Sequence, residues 1–325
     1  MSVRICMTVV LLSFQFVVHA NGDSSSEQAL EMLERMSSAT RSLNYDGVFV
    51  YSRGDQLESM RIIHKVDEQG EKERLISLTG ASREVVKDDQ DVACFYSDNQ
   101  TVMVDKGGSN KFLSVNFPES IARIRGFYNF QVLGKDRVAG RDTNIIELMP
   151  KDEHRYIYHF WVDEETGLML KSAIVSLQEK PLETVLFTHI EIRREIPSDL
   201  MTPMDAESYE WHTNEQTLEQ TTQDPSQWKV QWMPVGFSME STNKQLFSGI
   251  KQPVEHLVYS DGLATVSLYI ERVDASAKGK AMNGYVSMGA VNAYTHSQED
   301  YQVTVVGELP AKTVHKIASS VVHNP

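Results

Sequence analysis

Between Tyr45 and Lys106 the chain repeats one pattern six times. "YDGVFVYSR", "MRIIHKV", "RLISLTG", "REVVKDD", "VACFYSD" and "TVMVDK" alternate apolar and polar residues, with charged turns or glycines between them. A period of two places alternate side chains on opposite faces of a strand. Six strands in about sixty residues leave no room for the crossovers that parallel pairing requires, each a dozen residues or more. The stretch is expected to fold as an antiparallel meander.

The flanks extend this frame. Upstream, Ser24–Leu43 ("SSSEQALEMLERMSSATRSL") offers serines as N-caps, then Leu30, Leu33 and the Met32/Met36 pair at helical spacing. Downstream, Lys111–Gly134 carries Pro118 where a helix can begin, and Ile121, Ile124 and Phe127 or Tyr128 would share one apolar face. "HRYIYHFWVDEETGLMLKSAIVSL" reads as a hairpin turning at Asp163–Gly167, with "LETVLFTHIEI" pairing next. In its first strand Tyr156, Tyr158, Phe160 and Val162 face one way, and Ile157, His159 and Trp161 face the other. Both sets are largely apolar, so this strand is expected to be covered on both sides.

Residues 197–227 lose the alternation and are rich in Thr, Gln, Asp and Glu, with three prolines. They read as a domain linker. Four further runs follow: "WKVQWMPVGFSME", "VEHLVYSDGLATVSLYIE", "GYVSMGAVNAYTH" and "YQVTVVGELP". The chain closes with a helix that Pro310 can open, faced by Val314, Ile317, Ala318 and Val321. The expected fold is α+β in two domains, residues 21–200 and a smaller antiparallel sheet plus helix at 228–325, joined by 201–227.

Residues 1–20, "MSVRICMTVVLLSFQFVVHA", differ in kind. One arginine, a twelve-position apolar run from Met7 to Val18 and a Val-His-Ala ending make a Sec-type export signal. The run is too short to span a bilayer. Cleavage after Ala20 would leave 30 basic against 45 acidic residues, shifting the net charge from −14 to −15. So acidic an exported protein is a poor binder of nucleic acid. The mature chain keeps only Cys94, so it has no internal disulfide, and the cysteine is expected as a small apolar strand residue.

The search for chemistry finds one arresting cluster, His256, Ser260 and Asp261, the side-chain types of a hydrolase triad. Asp261-Gly262 sits between two strand-like runs, the strongest short hairpin signal. His256 would lie more than about 10 Å along the strand from Ser260, and no G-x-S-x-G elbow is present. A turn is the better reading, and no catalytic residues are assigned. The histidines form no H-E-x-x-H or H-x-x-x-H, there is no cysteine pair, His154 and His159 would point to opposite faces of one strand, and neither a Walker A loop nor a G-x-G-x-x-G is present. No metal or cofactor is therefore expected.

Two weaker features suggest binding. The apolar Ile121, Ile124, Phe127 and Tyr128, with nearby Arg123 and Arg125, could roof a lipid cavity and meet acidic head groups, although the same face would serve to close the core. The aromatics flanking the linker, Trp211, Trp228, Trp232 and Phe237, suit a domain or partner contact as well as burial in a local core.

Taken in order, "LNYDGVFVYSRGDQLESMRIIHKVDEQGEKERLISLTGASREVVKDD", "FWVDEETGLMLKS", "VYSDGLATVSLYIE" and "VTVVGELPAKTVHKIASSV" closely resemble the RseB/MucB family, over essentially the whole mature chain. The resemblance implies a larger domain like the lipoprotein carriers LolA and LolB, a half-open antiparallel β-barrel covered by helices. It implies a periplasmic, non-enzymatic negative regulator of the envelope-stress sigma factor. Such a regulator binds the periplasmic segment of a membrane-spanning anti-sigma factor (RseA/MucA type), shields it from site-1 proteolysis, and is released by lipopolysaccharide or lipid-like signals. It leaves room for a homo-oligomer and transfers no partner-contact residue position by position. The competing readings are a periplasmic lipoprotein or lipid carrier, and a secreted hydrolase built on His256, Ser260 or Asp261.

Overall fold

The computed structural model describes residues 21–88, 91–106, 121–204, 206–214, 226–245, 252–273 and 283–323. The export signal and Pro118 lie outside them. Helix α1 (Asn21–Ser42) leads into the meander of β1 (Asn44–Arg53), β2 (Gln56–Asp67), β3 (Gly70–Ser77), β4 (Arg83–Asp88), β5 (Asp91–Tyr96) and β6 (Thr101–Lys106). Each strand pairs antiparallel with the next, as the period-two runs predict. A second group follows: β7 (Tyr128–Val138), β8 (Arg141–Pro150), β9 (Ile157–Asp163), β10 (Met169–Val175) and β11 (Pro181–Arg193). Strand β11 returns to pair with β1, which fuses the two groups into one sheet.

That sheet has two apolar faces. On one, Leu30, Leu33 and Met36 of α1 pack with Tyr128, Phe130, Ile146, Tyr158 and Phe160. On the other, Phe49, Ile62, Leu75 and Val85 join Ile157, Trp161 and Leu170. Strand β9, with Tyr156 just before it, thus sends Tyr156, Tyr158, Phe160 and Val162 to one core and Ile157 and Trp161 to the other, as the alternation predicts. Cys94 is half-buried beside the second core.

The smaller domain holds β13 (Trp228–Val230), β14 (Ser238–Gln245), β15 (Val254–Ser260), β16 (Thr265–Arg272), β17 (Gly284–Met288), β18 (Val291–Gln298), β19 (Tyr301–Gly307), α2 (Ala311–Ser319) and β20 (Val321–His323). Its main sheet runs β14-β15-β16-β19-β18-β17. Helix α2 packs on β18 and β19 through Val314, Ile317 and Ala318.

Two expectations are corrected. No α-helix includes Ile121, Ile124 and Tyr128: Ile121–Arg123 is a single 3₁₀ turn, and Tyr128 already opens β7. Three aromatic or β-branched residues in the last four positions, Phe127, Tyr128 and Phe130 with Val132 beyond, favour the strand. Within the expected linker, β12 (Glu210–Asn214) lies parallel to β6 and forms an edge of the large sheet. The run "GYVSMGAVNAYTH" supplies strands as expected, in the form of a hairpin, β17–β18, that turns at Gly289 with a φ of 61°.

Candidate functional site

The two domains meet around Arg155, whose side chain is completely buried. The "KDEHRY" bend between β8 and β9 places it there, with Asp152 accepting the His154 N–H at 2.9 Å. A buried guanidinium is tolerated only when paired and hydrogen-bonded. Arg155 Nε donates to Asp261 Oδ2 at 2.6 Å, Nη1 to Asp152, and Nη2 to the Val235 carbonyl at 2.5 Å. Its flat faces lie 5.2 Å from the Phe127 ring and 5.1 Å from the Phe237 ring, one from each domain.

Asp261 performs two tasks. Its Oδ1 accepts the Leu263 and Ala264 N–H groups, both at 2.9 Å, and holds the turn between β15 and β16. Gly262 takes a φ of 102° in that turn, which a side chain rarely adopts. Oδ2 is left for Arg155. Ser260 spends its hydroxyl on the same turn, donating to the Ala264 carbonyl and accepting from Gly262 N–H. His256 instead stacks on Tyr269 at 4.4 Å, and burial lowers its pKa. The three residues do not assemble a triad.

Further bonds close the seam. Asn292 donates to the Tyr156 hydroxyl at 2.9 Å and to the Leu309 carbonyl at 2.7 Å, while Tyr156 donates to Leu309 at 3.1 Å. Glu183 accepts the Ala290 N–H at 3.0 Å and the Tyr51 hydroxyl at 2.8 Å. Leu263 and Ala290 of the small domain join the α1-side core. The Glu308 carboxyl, between β19 and α2, is pushed up to about 7 by burial and then by the charge of Glu183. Gly236 fits because a Cβ there would come within 2.2 Å of the Phe127 ring.

The proposed binding residues are dispersed along this frame. Phe127, Tyr128 and Phe237 gather on Arg155. Ile121 and Ile124 are buried in the α1-side core. Arg123 pairs with Glu240 across the seam at 2.6 Å, and Arg125 pairs with Glu27 at 2.8 Å. Ile121 and Arg125 also line a groove against α1, whose rim carries Glu27, Glu31 and Glu34. Trp232 meets His154 edge-on at 5.0 Å, with Lys316 Nζ 3.7 Å above it. Trp228 is buried in the small core against Tyr301. Trp211 stands on the far edge of the large sheet, 55% exposed, edge-on to Phe95. The seam's charged pair, Arg155 and Asp261, escaped the sequence reading; the only signal was an Asp-Gly turn whose aspartate had a second oxygen to spend.

The family model for the MucB/RseB N-terminal domain matches residues 28–205, and that for the MucB/RseB C-terminal domain matches residues 222–322. The chain belongs to the MucB/RseB family. Curated relatives include the sigma factor AlgU regulatory protein MucB of Pseudomonas aeruginosa, 29% identical over 92% of both chains. The sigma-E factor regulatory protein RseB of Haemophilus influenzae is 26% identical over 98% of both. Among solved structures, the P. aeruginosa MucA/MucB complex aligns with a TM-score of 0.73 at 27% identity, covering 92% of this chain and 99% of that one. A crystal structure of MucB in complex with MucA(peri) gives 0.71 at 27% identity, covering 91% and 99%. These matches run across both domains, not one alone.

Proposed function

We propose that this protein is a periplasmic negative regulator of an envelope-stress sigma factor. It binds the periplasmic segment of a membrane-spanning anti-sigma factor and keeps that segment from site-1 proteolysis. The observation that carries the reading is the likeness, over nine-tenths of the chain, to MucB in its complexes with MucA. The protein acts by binding, without catalysis. A hydrogen-bonded seam between two separately cored domains suits this role, because a partner contacting both domains would favour one arrangement of them.

The finer parts of the reading are these. The large sheet is a half-open barrel with α1 over one face, and lipopolysaccharide or a lipid-like ligand binds it. Such a ligand releases the anti-sigma factor by preferring the partner-free arrangement, and it shifts the equilibrium by that difference in affinity alone. The partner surface lies along the seam and linker, near Trp232 and Phe237.

Calorimetric titration of residues 21–325 with the periplasmic segment of the same organism's anti-sigma factor, with and without lipopolysaccharide, tests both halves. Tight binding that the lipid weakens is the expected result. Absence of binding in both conditions removes the regulator reading. Binding indifferent to the lipid removes the release mechanism and keeps the rest.

A further inference from the structure

On the large sheet, away from the seam, one row of side chains crosses four strands. Tyr45 on β1 faces His64 on β2, His64 faces Glu73 on β3, and Glu73 faces Lys87 on β4. Glu71 stands two residues before Glu73 on the same face. Each of His64, Glu71 and Glu73 offers one ligand atom, and the three atoms lie within 4.8 Å of one another. The two glutamates are seven and nine residues from the histidine, across a hairpin, a spacing that no local metal motif contains.

The imidazole of His64 is fully buried, and its Nδ1 lies 2.7 Å from the Leu43 carbonyl. A carbonyl can only accept, so Nδ1 carries the hydrogen. Nε2 is thereby turned toward the carboxylates, in the tautomer that metal-bound histidines use, with the other nitrogen donating to a backbone carbonyl. Nε2 stands 3.4 Å from Glu71 Oε1 and 4.0 Å from Glu73 Oε1. An imidazolium bonded to a carboxylate would sit at about 2.7–2.9 Å. Ligand atoms held about 2.0–2.2 Å from a tetrahedral ion are instead roughly 3.3–3.5 Å apart.

A second observation points the same way. Tyr45 is 1% exposed, and its hydroxyl has no hydrogen-bond partner. Its ring lies flat against the imidazole, with centroids 4.8 Å apart and planes 12° apart. A buried donor left unmade is costly. A metal-bound water, or a carboxylate drawn in by an ion, would give it an acceptor.

We propose that His64 Nε2, Glu71 and Glu73 form a binding site for a divalent first-row transition metal ion, with Zn²⁺ the natural occupant of one imidazole and two carboxylates. Water completes the coordination from the side of Glu71, whose side chain is 34% exposed. Lys87 Nζ, 3.7 Å from Glu71 Oε1, is the cation that the metal displaces from that carboxylate. Because His64 also holds the Leu43 carbonyl, the ion would tie the α1–β1 junction to the β2–β3 hairpin. Loading should therefore stabilise this end of the sheet.

The test uses the full chain stripped with chelator. Zn²⁺ is titrated in competition with a chromogenic chelator, and Co²⁺ serves as a spectroscopic probe. One equivalent should bind, Tm should rise with added Zn²⁺, and Glu71→Gln and Glu73→Gln should each weaken binding at least tenfold. Both glutamates keep contact with solvent, so these variants avoid the folding risk of replacing the buried His64. Failure to bind a tenfold excess of Zn²⁺, or an affinity unchanged in both variants, overturns the proposal.

Discussion

Asp261→Asn separates the two tasks of one buried carboxylate. The substitution keeps Oδ1 for the Leu263 and Ala264 N–H groups, so the turn survives. At Oδ2 it replaces an acceptor with an N–H₂ donor, 2.6 Å from the Arg155 Nε that donates to it. Neither side chain has any exposure to solvent. Removing one partner of a buried ion pair costs about 3–5 kcal/mol, because the remaining charge stays desolvated. Asp152 and the Val235 carbonyl still serve Arg155, which favours the lower part of that range. A loss of about 3 kcal/mol moves the docking equilibrium by roughly two orders of magnitude. Urea unfolding followed by tryptophan fluorescence would measure the loss, and small-angle scattering would show whether the domains separate. Arg155→Met combined with Asp261→Asn should cost less than the sum of the two single changes, by more than about 1 kcal/mol. A single-variant cost below about 1 kcal/mol with wild-type scattering would refute the reasoning, and the seam would have to be held by its apolar contacts.

Three further outcomes follow from the same geometry. Glu308 is raised in the folded protein from 4.5 to about 7, so the folded state holds a proton that the unfolded state releases. The stability this confers is full below pH 4.5 and is lost as pH rises through 7, on the order of 3 kcal/mol; Glu308→Gln should flatten unfolding curves measured across that window. Gly236→Ala places a Cβ 2.2 Å from the Phe127 ring at a φ of 97°, and should lower stability by about 2 kcal/mol or more, read from the urea midpoint. Trp228→Ala empties a buried site in the small core and should cost about 3–5 kcal/mol, whereas Trp211→Ala, at an exposed edge, should cost less than about 1 kcal/mol in the same assay.

Local periodicity made most of the strands legible. The meander, the β9–β10 hairpin and the Asp-Gly turn are each specified by residues that touch their sequence neighbours, so pattern and turn chemistry suffice. What pattern could not supply were pairings between distant segments. Nothing local in "LETVLFTHIEI" says that β11 will return to β1, and nothing in "EWHTN" says that a linker segment will lie beside β6. The Phe127–Tyr128 region misled for a related reason. Ile121 and Ile124 have helical spacing, yet both are buried against α1 and the α1-side core, and tertiary burial met the need that a helix face would have met. Arg155 was invisible because a lone arginine in a charged bend reads as surface; only Asp261, 106 residues away, makes it a buried one.

The chemistry of the seam bears on how such a protein could switch. Its two domains each have an apolar core, joined at the seam by Leu263 and Ala290, and the seam also carries a set of polar contacts: Arg155 with Asp261, Asn292 with Tyr156, Glu183 with the Ala290 N–H. Groups of this kind can exchange their partners for water on opening, whereas an apolar seam would expose surface with no substitute. An interface within one chain that is more polar than an obligate one is expected to permit relative motion. The buried charge sharpens the response. While Arg155 is desolvated it demands its acceptors, so partial opening is unfavourable and the seam tends toward two states, docked or hydrated. A ligand that favours either state then needs to supply only the difference between them. Coupling between any two ligands through such a seam requires a two-state element whose balance both of them bias.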